Sequence, residues 1–215
     1  MILKRGLCVG WVLSLLLLGC NTVVAPDEVK VAVALPLGSE MGQDMFNAAQ
    51  LALDEAGGKA GELAVTLATF DTSSTDGNPS ADLERQAAEQ ASADPAIVAY
   101  LGSVTNDQAK ASLPVLNRAS VVHLSPSATW AGLTKPGFWP GEPGVYYPTG
   151  YRHFFRLVLS DEVQGEAAAR WAAMLGVESV YIVDDETVYG KGIAGIFEVT
   201  FRDLEGVVRA HDTFP

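Results

Sequence analysis

The sequence predicts an α/β protein of two doubly wound parallel-sheet lobes, the second of them incomplete. Three observations carry that expectation. Short apolar, β-branched runs recur at intervals of roughly 25–35 residues with amphipathic stretches between them, the rhythm of a parallel sheet with crossover helices. Clusters of small and hydroxyl residues follow two of these runs, at 102–106 and 125–129. A proline-, glycine- and aromatic-rich stretch at 135–150 breaks the rhythm, which then resumes and continues to the last residue, Pro215.

The elements follow in order. Residues 29–35, Val-Lys-Val-Ala-Val-Ala-Leu, form a buried-type strand, and a loop with Pro36 and Gly38 leads to a helix at about 43–56. Met45, Ala48, Ala49, Ala52, Leu53 and Ala56 fall on one face of that helix at the 3.6-residue period, and Gly57-Gly58 ends it. A second strand at 63–70 runs into a loop of turn residues, 71–79. Ser80 caps a helix to about Ala91, and Asp94-Pro95 breaks into a third strand at 96–101. Gly102-Ser-Val-Thr-Asn106, an amphipathic stretch ending at Arg118, a fourth strand at 119–124 and Ser125-Pro-Ser-Ala-Thr129 complete a βαβ unit. In an open parallel sheet both polar turns emerge at the carboxyl ends of their strands, where such sheets bind ligands. Hydroxyls, an amide and helix N-terminal N–H groups suit the holding of a small polar molecule.

The 135–150 stretch can be neither helix nor central strand. It reads as a crossover from a first lobe (29–134) to a second (151–215), or as a long surface loop with its own contacts; its place after a four-strand unit favours the crossover. Beyond it come a strand at 153–159, a helix at 161–175, a strand at 178–184, a helix at 190–204 and a strand at 207–211. A second lobe of this kind needs more elements, so the 215-residue chain is expected to be a fragment or a truncated product with weak or no ligand binding.

The opening segment predicts location. Lys4-Arg5 is followed by an apolar core from Gly6 to Leu18, shorter than the roughly 20 residues of a membrane span, and so reads as a secretory signal at 1–19. Leu17-Leu18-Gly19-Cys20 resembles a bacterial lipoprotein box, with Cys20 the lipidated new N-terminus and 20–28 a tether; a plain signal with a chance cysteine is the alternative. Cys8 would leave with the signal, so no mature thiol remains for a disulfide, a metal or a nucleophile. The formal net charge of −12 becomes more negative still once Lys4 and Arg5 are removed, which argues against nucleic acid as a partner.

Several motifs in fixed order carry a resemblance. They are the lipobox, Pro36-Leu-Gly38, Ala49-x-Leu51-Ala52-x-Asp54-Glu55, Gly102 with Leu113-Pro114-Val115, Ser125-Pro-Ser-Ala-Thr129 with Leu133-Thr134, Asp161-x-x-Gln164-Gly165, and Tyr189-Gly190-Lys-Gly192. Together they resemble the type I periplasmic-binding-protein superfamily, in particular the branched-chain amino-acid binding components of ABC importers, over essentially all of 29–215. The resemblance implies two lobes closing on an amino acid or amide-like solute, delivery to ABC permease subunits, and a lipid anchor outside the cytoplasm. It implies ligand contacts from Thr105 and Asn106, where the family often has a serine, from Thr129 and the backbone around Ser127 and Ala128, and from Tyr189 on the facing lobe. Thr105 and Asn106 read equally as a helix N-cap, and Ser125-Pro126 as a turn; capping and ligand contact are compatible. A sensor ectodomain of the same fold is the alternative function. An exported enzyme finds no nucleophile or base in the sequence.

Other patterns are weaker. Gly190-x-Gly192-x-x-Gly195 matches a dinucleotide fingerprint, but 185–189 separates it from its strand, and no cofactor is expected. Asp184-Asp185-Glu186 reads as a solvated loop, because adjacent carboxylates cannot converge on one metal ion without distant partners. His123, His153 and His211 are expected in packed or edge strand positions.

Overall fold

A computed structural model describes residues 28–214. The signal segment, the lipobox with Cys20 and the tether up to residue 27 lie outside the described residues. The first sheet contains β1 (Glu28–Leu35), β2 (Lys59–Ala60), β3 (Leu63–Asp71), β4 (Ile97–Leu101), β5 (Val122–Ser125) and β6 (Phe154–Arg156), in the order β2-β3-β1-β4-β5-β6. All pairs are parallel except the short β2–β3 hairpin. Three helices cross between these strands: α1 (Glu40–Glu55), α2 (Ala81–Ala93) and α3 (Asn106–Arg118).

Strand β1 shows why helices cover both faces. Successive side chains of a strand point to opposite sides. Ala32 and Ala34 pack with Ala87, Ala88, Tyr100 and Leu116 from α2, β4 and α3, whereas Val33 and Leu35 pack with Met45 and Phe46 of α1. An unbroken apolar strand is what a sheet buried on both sides requires.

Helix α1 begins earlier than its apolar face predicts, because Ser39 Oγ accepts the Gly42 N–H at 3.1 Å and so sets the N-cap. Strand β5 starts later than the expected residue 119. Ala119 is the C-cap of α3 and Ser120 has a φ of 58°, so both belong to the turn.

Residues 135–150 correct the expected lobe boundary. They contain only a 3-10 turn, Gly144–Tyr146, and they lead to β6, which pairs with β5 in the first sheet. The segment is thus a crossover within one sheet as well as a packed loop. Its Phe138, Tyr146 and Tyr147 join Trp130, Leu133 and Phe154 against Ala109 and Leu113 of α3. The passage to the second sheet falls after Arg156. That sheet consists of parallel β7 (Ser179–Asp184) and β8 (Val207–Thr213), flanked by α4 (Asp161–Met174) and α5 (Val188–Asp203) over a core of Ala169, Ile182, Ala194, Phe201 and Val208.

The chain leaves β1 toward β3 on one side and reaches β4 on the other, so the topological switch lies between β1 and β4. Gly102 sits at that crevice. A Cβ there would lie 2.5 Å from the Ala34 carbonyl oxygen and 3.0 Å from the Tyr100 ring. Gly102→Ala is therefore expected to lower stability by about 1–3 kcal/mol through overpacking. A shift in the urea midpoint measures it, and an unchanged midpoint would contradict the packing described.

Candidate functional site

The two polar turns at the carboxyl ends of β4 and β5 are tied to each other. Ser125 Oγ donates to the Ser103 carbonyl at 2.7 Å and accepts the Ala128 N–H at 2.9 Å, while Ser127 Oγ donates to the Val104 carbonyl at 2.6 Å. Thr105 is the N-cap of α3 within a capping box. Its Oγ1 accepts the Gln108 N–H, and Gln108 Oε1 accepts the N–H groups of Val104 and Thr105 at 3.0 and 3.2 Å. Asn106, in the first turn of α3, reaches across to the second polar turn. Its Oδ1 accepts the N–H groups of Thr129 and Trp130 at 2.7 and 2.8 Å, and its Nδ2 donates to Thr129 Oγ1 at 3.3 Å.

The starts of α4 and α5, which flank the second sheet, close the other side of this surface, and Arg156 of β6 braces the turn between. The Asp161 N–H donates to the Thr129 carbonyl at 2.9 Å, joining the start of α4 to the β5 turn. Arg156 donates to the Trp130 carbonyl at 3.0 Å and to Thr134 Oγ1 at 2.7 Å, which fixes the 3-10 turn Ala131–Leu133. Burial lowers the Arg156 pKa and raises that of Asp161. Tyr189, in the first turn of α5, donates to Gln164 Oε1 at 3.4 Å. Thr187 caps α5 by accepting the Gly190 N–H, and Asp185 Oδ1 accepts both the N–H and the hydroxyl of Thr187.

Between these two walls runs a cleft of about 960 Å³. That volume lies at the upper end of the range for small-molecule sites. Thr105, Asn106, Ser127, Thr129 and Tyr189 all line it. Ala128 does not: it is wholly buried in the core beside Trp130, so it contributes shape from behind the wall. Sequence reasoning missed Val158, Leu159, Asp107, Asp185 and Val188 as lining residues. Their signal was positional only, since each lies just after a strand or at the start of a helix. Val104, Val158, Leu159 and Val188 make one portion apolar, while the hydroxyls and the two carboxylates make the rest polar.

The weaker motifs resolve structurally. Gly190, Gly192 and Gly195 lie inside α5, past the Asp185–Thr187 turn that joins it to β7. At Gly192 a Cβ would come within 3.0 Å of Trp130 and 3.1 Å of Asp161, so this glycine lets α5 approach the first sheet's wall. The acidic run is not uniformly solvated. Asp184 is buried, and Asp184 Oδ2 pairs with His211 Nε2 at 2.9 Å, while His211 Nδ1 pairs with Glu198 at 2.8 Å. His123 is buried in β5 against the Gly102 carbonyl, and burial lowers its pKa to about 4.

A family model described as periplasmic binding protein matches residues 28–215. No curated protein matches the chain. Among solved structures, a leucine-binding protein from Thermotoga maritima is 26% identical with a TM-score of 0.67, over 86% of this chain and 48% of that one. A branched-chain amino-acid transporter substrate-binding protein from Streptococcus pneumoniae, in complex with isoleucine, is 23% identical with a TM-score of 0.68, over 87% and 49%. A solute-binding protein of an ABC transporter from Rhodopseudomonas palustris, in complex with 3,4-dihydroxybenzoic acid, is 17% identical with a TM-score of 0.72, over 88% and 48%. The chain spans about half the length of these structures.

Proposed function

The chain belongs to the periplasmic-binding-protein family, and from that premise we propose that it serves as an extracytoplasmic receptor for a small solute, feeding an ABC importer. The solute is an amino acid of the branched-chain kind or an amide-like molecule, held between the two sheets. In this reading Cys20 carries a lipid that holds the receptor at the membrane surface, and permease subunits receive the loaded protein.

One observation carries the reading: a single cleft is lined from both sheets, with hydrogen-bonding groups at the strand ends and aliphatic side chains opposite. Thr105, Ser127 and Thr129 offer oxygens from the first sheet's turns, while Val158, Leu159 and Val188 offer apolar surface for an aliphatic tail. Two of the solved relatives are described as binding leucine or as held with isoleucine, which are solutes of that shape. Tyr189, half-exposed at the opposite rim, stands where closure of the lobes would bring it over the solute.

Thermal denaturation against branched-chain amino acids and their amides tests the proposal. A ligand at a hundred times its dissociation constant contributes about 2.7 kcal/mol, which raises the midpoint of a chain this size by roughly 5–10 °C. Because both walls of the cleft lie within residues 28–214, binding is expected here in place of the weak or absent binding that the count of elements suggests: at least one member of the panel raises the midpoint, and Thr129→Ala abolishes most of the shift. A midpoint unmoved by every member would contradict the receptor reading.

A further inference from the structure

The cleft contains three places where an anion would ordinarily be welcome, and each is already filled by the chain itself. The first is the N-terminus of α3, closed by the Thr105–Gln108 capping box with the carboxylate of Asp107 in the same turn. The second is the N-terminus of α5, where Asp185 accepts from Thr187 just ahead of the helix. The third is the Thr129 N–H on the cleft wall, which converges with the N–H of Trp130, a core residue behind that wall, in an arrangement that elsewhere forms an anion-binding nest. Asn106 Oδ1 occupies that point at 2.7 and 2.8 Å, with its own Nδ2 anchored on Thr129 Oγ1.

The lining adds charge of one sign. Asp107 and Asp185 both face the cleft, and among the described residues no lysine, arginine or histidine lines it. A ligand carboxylate entering here would meet two carboxylates without a cation to offset them, and would have to displace an internal oxygen that already makes two short bonds. A group that donates hydrogen bonds meets the opposite situation. The carboxylates, Ser127 Oγ and the Tyr189 hydroxyl can all accept, and Asn106 Nδ2 and the hydroxyl of Thr129 can donate to an amide carbonyl.

We propose that Asn106 acts as a built-in substitute for the ligand carboxylate, so that the cleft selects a small aliphatic solute ending in an amine or carboxamide and disfavours its free-acid counterpart. The inference rests on the receptor reading and narrows it to one chemical class. It also separates this chain from the solved relatives above, whose bound isoleucine and dihydroxybenzoic acid both carry a carboxyl group.

The test compares leucine with leucinamide, which share a side chain and an amine and differ at the carboxyl carbon. Calorimetric titrations use the full chain and two variants, with thermal unfolding of each to establish that it is folded. The wild type is expected to take leucinamide at least tenfold more tightly than leucine. Asn106→Ser withdraws the substitute oxygen and opens the Thr129 N–H on the cleft wall, and is expected to move the preference toward leucine by roughly tenfold. Asn106→Asp keeps an oxygen on the same two N–H groups and is expected to retain the preference for leucinamide. Leucine bound as well as leucinamide by the wild type, or leucine gained equally by the serine and aspartate variants, would overturn the inference while leaving the receptor reading intact. Heat from neither probe with the folded wild type would overturn the inference, and the receptor reading falls with it when the whole panel also leaves the thermal midpoint unmoved.

Discussion

Trp130→Ala is expected to cost about 3–5 kcal/mol of stability, because it removes the piece on which the aromatic crossover and the cleft wall both lean. Trp130 is only 5% exposed, and its indole N–H donates to both oxygens of Glu142 at 2.9 and 3.0 Å. Its ring meets Phe138 and Trp139 at centroid distances of 5.6 and 5.3 Å. The Lys110 ammonium lies 3.5 Å from the centre of the Trp139 ring, 4.6 Å from that of Trp130 and 3.9 Å from Glu142. Burial lowers the Lys110 pKa, so its charge depends on these rings and that carboxylate. Glu142 is itself buried and also accepts the Tyr146 hydroxyl at 2.6 Å. Truncating the indole leaves a cavity and strips one donor from a buried carboxylate. Urea denaturation gives the magnitude, and a loss below about 1 kcal/mol would contradict the role assigned to this cluster.

The second large effect is a pH dependence centred on Glu84 of α2. This side chain is wholly buried; its Oε1 accepts from the Tyr100 hydroxyl at 3.0 Å and from Ser103 Oγ at 2.6 Å. Burial raises its pKa from 4.5 to about 7, despite the opposing hydroxyl bonds. The folded state therefore binds this proton more tightly than the unfolded chain does. Stability falls as pH rises from about 4.5 through 7, and above 7 the penalty is fully developed, on the order of 3 kcal/mol. His123 acts in the opposite sense, since its pKa is lowered from 6.5 to about 4 and its penalty grows as pH falls through that window. It is present in both the wild type and Glu84→Gln, linked to residue 84 through Ser103 Oγ, which lies 2.6 Å from Glu84 Oε1 and 3.3 Å from His123 Nε2, so the larger part of its contribution cancels in their difference. Glu84→Gln is expected to gain stability over the wild type at pH 8 relative to pH 4.5, by on the order of 3 kcal/mol. Parallel urea curves for the two chains at both pH values would show it; a difference that does not change with pH would contradict it.

These two clusters mark the limit of what the sequence discloses. Strands β1, β3, β4 and β7 and the helices between them were legible, because apolar runs and the 3.6-residue period report burial directly. The sheet to which a strand belongs leaves no such trace. Phe154–Arg156 has the same apolar character whether it opens a second lobe or closes the first, and only its pairing with β5 decides. Glu84 reads as one more polar residue on a surface helix, because its partners Tyr100 and Ser103 come from a different strand and its end. At the site, hydroxyl-rich turns after strands pointed to Thr105, Ser127 and Thr129, whereas the bonds that turn Asn106 inward depend on a loop twenty-three residues away. The burial of the Ala128 side chain beside Trp130 is likewise a tertiary fact that the turn residues alone do not disclose.

In the proposed receptor one small solute touches both walls of the cleft at once. Amide chemical-shift mapping of the isotope-labelled chain, titrated with whichever panel member raises the thermal midpoint, decides this. Simultaneous, saturable shifts are expected at Thr105, Asn106, Ser127 and Thr129 on one side and at Asp185, Thr187 and Tyr189 on the other, sharing one dissociation constant. Shifts confined to a single wall, or scattered over α1 and the outer face of β8, would contradict it.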